Sequence, residues 1–248
     1  MGRCSTGFSV NALLLCGAVV WSLGGCGANL MSYLEGHDKL GYKLSCEKRV
    51  DKHTGDVNSG NYYLPEFHVE KWPVQGQSKQ KVGEAEFIDA LMSGAARFVL
   101  VTARGGLGKS RLAESIDAQV CSSMPILMVD LNKHAAAHIK GGGNPILKYL
   151  AKSMHLNADA EGLLEVTSLL HSNRWILVAD SIEEVELGKR APIIEALAEV
   201  RKSFKGTVQV VLMARPAVLS TDYGIEGFDT KIRILPLATG RADRFVAK

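Results

Sequence analysis

The stretch "ARGGLGKS", residues 103–110, sets three glycines around a lysine–serine pair. Gly105, Gly106 and Gly108 let the backbone curl until successive N–H groups face one anion. Lys109 then reaches the β- and γ-phosphates of a nucleotide, and the Ser110 hydroxyl ligates Mg²⁺. A helix starting at Lys109 adds the positive end of its dipole. Ala103, Arg104, Gly105, Gly106, Leu107, Gly108, Lys109 and Ser110 are the expected phosphate-binding residues. Ala103 stands where glycine is common. That substitution costs about 1 kcal/mol only if its φ is positive, and at the end of a strand a negative φ is expected.

Mg²⁺ in such a site needs a carboxylate from the end of a neighbouring strand. "ILVADSIEEV" supplies Asp180 after four apolar residues. Glu183 and Glu184 follow within one turn, close enough to fold back on the same place. One of them, with Glu184 preferred, is expected to orient and polarise an attacking water. The plainer alternative makes Asp180 a turn cap and the glutamates a solvated face. "VVLMARP" ends a further apolar run with Arg215, whose guanidinium there can meet γ-phosphate charge.

These residues must be held by a frame, and the pattern from Glu84 onward provides one. Phe87, Leu91 and Ala95 have helical spacing. "FVLVT" (98–102) is apolar on both faces, as strands of parallel sheets are. Leu112, Ile116 and Val120 mark the helix after the glycine loop. Strands follow at 125–131, 175–180, 207–214 and 231–237. Between them lie a helix opened by Pro145, one over about 160–172, and one opened by Pro192. Thr239 is placed to cap a last helix. Strand and helix alternating in this way predict an α/β fold with a mostly parallel sheet of about five strands and helices on both faces.

The four stretches "ARGGLGKSRLAES", "LVADSIEEV", "VVLMARP" and "RILPLATGRADRFV" together resemble the NACHT family of P-loop NTPases, in the STAND class of signalling switches. The resemblance covers about residues 84–248 and rests on the order and spacing of the motifs. One departure is Ser181, where the family pattern has glycine, a change expected to disturb the chemistry little. The resemblance implies a three-layer α/β sandwich that binds ATP with Mg²⁺ (with GTP not distinguished by these residues) and hydrolyses it slowly, if at all. It also implies self-association through this domain. Further implied are a helical lid, a winged helix and a repeat sensor after Lys248, so the sequence reads as C-terminally incomplete. A kinase or transport ATPase sharing the loop fits less well, because no transport signature loop accompanies it.

Composition bounds the other classes. Net charge is +3 with Lys and Arg scattered, which gives no direct support for nucleic acid as a partner. Apolar residues make up 46% and charged residues 22%, which suits a domain with a sizeable core. Residues 1–30 run from Arg3 through an apolar stretch to "LGGC", similar to the lipobox of bacterial lipoproteins, with Cys26 the acylated residue. This predicts membrane association, with an uncleaved anchor or a true start at Met31, hence a cytoplasmic protein, as alternatives. Export would separate the chain from ATP and favour a second function: a tethered scaffold with a vestigial nucleotide site. Residues 31–83 read as a loop-rich lead-in whose Tyr62, Tyr63, Phe67 and Trp72 pack on the following domain. Cys46 and Cys121, without a paired spacing, are expected to be free thiols.

Overall fold

The computed structural model describes residues 42–59, 65–71, 81–132, 139, 142–154, 156–216 and 227–236. The apolar N-terminal segment with Cys26, Met31, the aromatic residues Tyr62, Tyr63 and Trp72, and Thr239 lie outside them. Among the described residues no helix is long and apolar enough to cross a membrane.

In chain order the elements are α1 (Tyr42–Asn58), β1 (Glu66–Lys71), β2 (Lys81–Gly83), α2 (Glu84–Ser93), β3 (Phe98–Thr102) and α3 (Lys109–Val120). Then come β4 (Ile126–Asp130), α4 (Pro145–Ser153), α5 (Ala160–Ser172), β5 (Trp175–Asp180), α6 (Leu187–Ser203), β6 (Val208–Ala214) and β7 (Thr230–Ile234). One sheet of seven strands runs β2-β1-β7-β3-β6-β5-β4. The five expected strands are all present and parallel to one another. Two more strands at one edge come from the segment expected to be loop: β1 is antiparallel to β7, and β2 is antiparallel to β1.

Period-two alternation explains why the central strands are apolar throughout. In β5, Leu177 and Ala179 join a core cluster with Leu150, Val166 and Leu197 of α4, α5 and α6. Ile176 and Val178 point the other way, into a cluster with Phe87, Leu91, Leu112 and Ile116 of α2 and α3. A strand buried on both faces has no place for a polar alternate. Two separate clusters, one per face, make three layers.

Local signals fix most ends. Asn144 caps α4, its side chain accepting from Ile146 and Leu147, with Pro145 in the first turn as expected. Asp159 caps α5. Gly94 ends α2 with φ +75°, a left-handed conformation that favours glycine. Pro192 is different: α6 begins at Leu187, so the proline lies inside the helix rather than opening it. The missing N–H leaves a carbonyl on Gly188, which is exposed and can meet water.

The lead-in departs furthest from expectation. Phe67 is fully buried and meets Phe87 edge-on at 5.4 Å between ring centroids, so the packing expected of it holds. But residues 42–58 form a helix that lies along α3. Cys46 and Cys121 are joined by a disulfide, correcting the expectation of free thiols. The reason is geometric: α1 runs antiparallel to α3, which sets a residue near its start beside the end of the other helix. Further along, Asp56 pairs with Arg111 at 3.1 Å.

Candidate functional site

Parallel strands end on one edge, and the registers bring their last residues into line. Thr102 is opposite Ala214, and Asp130 is opposite Asp180. β3 therefore delivers the glycine loop to the same edge that receives Asp180 and Arg215, with β6 between the loop strand and the acidic strand.

The loop has the backbone its glycines allow. Gly106 has φ +78° and Gly108 φ +87°, while Leu107 between them is not left-handed. That alternation of hand is the pattern of an anion-binding nest. A Cβ at Gly106 or Gly108 would meet no atom within 4 Å, so these positions need glycine for conformation and not for space. Ala103 is buried without positive φ, and its N–H donates to the Ala214 carbonyl at 3.1 Å. As expected, alanine there is harmless. Arg104 is exposed at the loop's outer side.

Lys109 points toward the acidic strand. Its ammonium donates to Glu183 Oε1 at 2.9 Å, and both side chains are about nine-tenths buried (11% and 9% exposed). Arg215 Nε donates to the same oxygen at 3.1 Å. The Arg215 guanidinium also lies over the loop, with its Cζ 4.0 Å from where a Gly105 Cβ would be. The Ser110 hydroxyl donates to Asp180 Oδ2 at 3.3 Å. One carboxylate thus holds the two cations, and another holds the hydroxyl.

The turn after β5 decides which glutamate enters. Ile182 is fully buried in the core and anchors a single 3₁₀ turn, Ile182–Glu184. Arg190 clamps that turn, donating to the carbonyls of Glu183 at 2.7 Å and Val185 at 2.8 Å. With Ile182 directed inward, Glu183 faces Lys109 and Glu184 is exposed. The sequence preference for Glu184 has no contact behind it among the described residues. Arg190 was missed altogether, being an unremarkable charge at the start of a helix. Ser181 takes φ +66°, the left-handed region, and its N–H donates to Asp180 Oδ1 at 2.8 Å. Serine thus holds under strain a backbone conformation that glycine adopts freely.

The two carboxylates have opposite electrostatics. Burial pushes Asp180 up, and Glu183 adds to this, against the pull of the Ser181 N–H, Lys109 and the Ser110 hydroxyl. Burial pushes Glu183 up as well, but its hydrogen bond and charge contact with Lys109, its backbone N–H and Arg215 outweigh this and hold it below the ordinary value. Glu183 Oε2 is buried without a hydrogen-bond partner among the described residues. A native structure seldom leaves such an atom unsatisfied unless water, an ion or a ligand meets it. The nest, the orphan oxygen and the hard-oxygen donors Ser110 and Asp180 fit a nucleotide with Mg²⁺.

A glycine nest on a central strand, its lysine facing carboxylates from a strand two places away, and helices on both faces decide the architecture. It is a P-loop NTPase fold. No protein-family profile and no curated protein matches the sequence. Among solved structures, the crystal structure of Pif1 helicase from Candida albicans is similar, with 16% identical residues and a TM-score of 0.38. The match covers 66% of this chain and 42% of that one, so the chain spans less than half of that protein. The fold assignment rests on the strand order and the loop.

Proposed function

We propose that the chain binds ATP with Mg²⁺ in the 103–110 loop and works as a slowly hydrolysing, nucleotide-dependent switch of the NACHT kind. The observation that carries this reading is the shared grip of Glu183 Oε1 on Lys109 and Arg215. Both cations belong to the set that would face phosphate oxygens. A triphosphate on the loop competes with Glu183 for them, so binding rearranges the turn that Ile182 and Arg190 hold. Lys109 and the nest grip the phosphates, Ser110 and Asp180 hold the metal, and Arg215 meets the terminal phosphate. Glu183, released from its cations, is the carboxylate best placed to orient water, ahead of Glu184. Bound Mg²⁺ neutralises phosphate charge and positions the oxygens. Calorimetry with Mg²⁺-ATP on the whole chain tests this: binding that Lys109→Ala abolishes supports it, and equal affinity in both proteins rejects it.

A second reading has its own observation. The Cys46–Cys121 bridge suits an oxidising compartment, as does an exported, lipid-anchored N-terminus at Cys26. Under that reading the chain is a membrane-tethered scaffold and the loop is vestigial. Mass spectrometry of the native protein discriminates: acylated Cys26 with the bridge intact supports it, and a chain starting near Met31 with two thiols rejects it.

A further inference from the structure

The opposite edge of the sheet, where the parallel strands begin, carries a second concentration of positive charge. Arg97 precedes β3, Arg174 precedes β5, and Lys205 lies in the turn between α6 and β6. They line one small cavity of about 90 Å³ with Ser93, Gly94 and Gly206. Two guanidiniums converge on Gly94. Arg97 Nε donates to its carbonyl at 2.9 Å, and Arg174 Nη2 lies 3.0 Å from where a Gly94 Cβ would be. Arg174 is fixed in place by a donation to the Met92 carbonyl at 2.8 Å and, with the Gln209 amide turned to satisfy both its ends, by a 3.0 Å contact to that amide oxygen. Gln209 is itself 5% exposed.

In part these arginines cap the C-terminus of α2, whose last carbonyls they bond. Capping accounts for one nitrogen of each. It leaves the remaining guanidinium N–H groups and the Lys205 ammonium with no carboxylate partner among the described residues. Asp229 turns its oxygens to the backbone N–H groups of Arg97 and Phe98, the Thr230 hydroxyl and Arg201. Like charges gathered at the surface repel one another through a solvent-screened field, and a bound anion relieves that repulsion.

We infer that this cavity is a binding site for a small phosphate-class oxyanion, either inorganic phosphate or a phosphomonoester group. Its volume suits one tetrahedral anion. Arg97, with only Nε engaged, keeps its paired Nη1 and Nη2 donors, while Arg174 keeps single donors on Nε and Nη1, and Lys205, which also lines the cavity, supplies a point charge. The site is independent of the nucleotide loop, which lies at the other end of the same strands.

The test uses the whole chain carrying Lys109→Ala, which weakens the nucleotide loop's own grip on anions, with inorganic phosphate and phosphoserine as probes. Phosphorus NMR line broadening or calorimetry should show saturable binding of at least one of them. Arg97→Glu with Lys205→Glu should weaken it at least tenfold, with circular dichroism and the thermal midpoint checking that the exposed substitutions leave the fold intact. Arg174→Lys, which keeps the charge but loses the planar guanidinium, should weaken it less. Binding unaltered by the double reversal, or no saturable binding of either probe, overturns the assignment. Binding of a single-stranded oligonucleotide in place of both probes overturns the choice of a small anion.

Discussion

Helix α3 has two unlike ends. At its start, Lys109 and Ser110 are held by single ionic and hydroxyl contacts to side chains from another strand. At its finish, Cys121 is covalently tied to α1 and buried with its partner. Noncovalent contacts can be exchanged for a ligand's, whereas a buried covalent one cannot. The helix is therefore anchored where nothing needs to change and loosely held where something binds. Glycines at one end and a cysteine at the other express this difference in sequence.

Breaking the anchored end should have the largest effect. Cys46→Ser with Cys121→Ser, or reduction of the bridge, releases a closed loop with a sequence separation of 75 residues. Loop-closure entropy then predicts a loss of about 4 kcal/mol of stability, read as a lower denaturant midpoint. If unfolding is unchanged, α3 has no such anchor. At the loose end, Lys109→Ala should reduce Mg²⁺-ATP affinity by about a hundredfold and lower the denaturant midpoint less than opening the bridge does, because Arg215 still pairs with Glu183. A large loss of stability instead would show that the two ends are not energetically separate.

Acid should act on the loose end through its two carboxylates. Glu183 is held below its ordinary value, so the stability it contributes is present above that value and is lost as pH falls through the depressed one. Asp180 has the opposite sign: its raised value makes the fold more favourable where it is protonated, and that contribution is lost as pH rises through it. Glu183→Gln should therefore flatten the decline in thermal midpoint as pH falls below the ordinary carboxylate range. An unchanged acid limb would remove Glu183 from the account. The smallest effect is expected at Ser181, whose left-handed backbone favours glycine. Ser181→Gly should raise stability by about 0.5–1 kcal/mol. A decrease would mean that the serine side chain contributes more than the backbone loses.

Much of the frame was legible because its signals are local. "FVLVT" and "WILVAD" coincide with β3 and β5, since a strand buried on both faces has no polar residue to blur its limits. The glycine loop, Asp180 and Arg215 read correctly as neighbours because parallel strands share an exit edge. Glu183 over Glu184 was not legible, because the choice depends on Ile182 entering the core and Arg190 fixing the turn, both tertiary facts. Nor was α1. Its sequence is polar and rich in turn formers, and only the spacing of Cys46, His53 and Asp56 along one side hints at a helix face. His53 and Asp56 find polar partners on α3, at Ser115 and Arg111, where a search for apolar periodicity does not look. Pro192 misled for a related reason: proline is common at helix starts, but here it is tolerated in the second turn.

The bridge also changes the connectivity of the chain. It closes residues 46 to 121 into a covalent ring that contains β1, β2, α2, β3 and the whole phosphate loop, and leaves Asp180, Glu183 and Arg215 outside it. A single protease cut anywhere within that ring opens the circle without parting the molecule. The two pieces migrate together until a thiol reductant separates them. During synthesis the ring cannot close before Cys121 has emerged, which is after the phosphate loop and before any of the acidic residues that will face it.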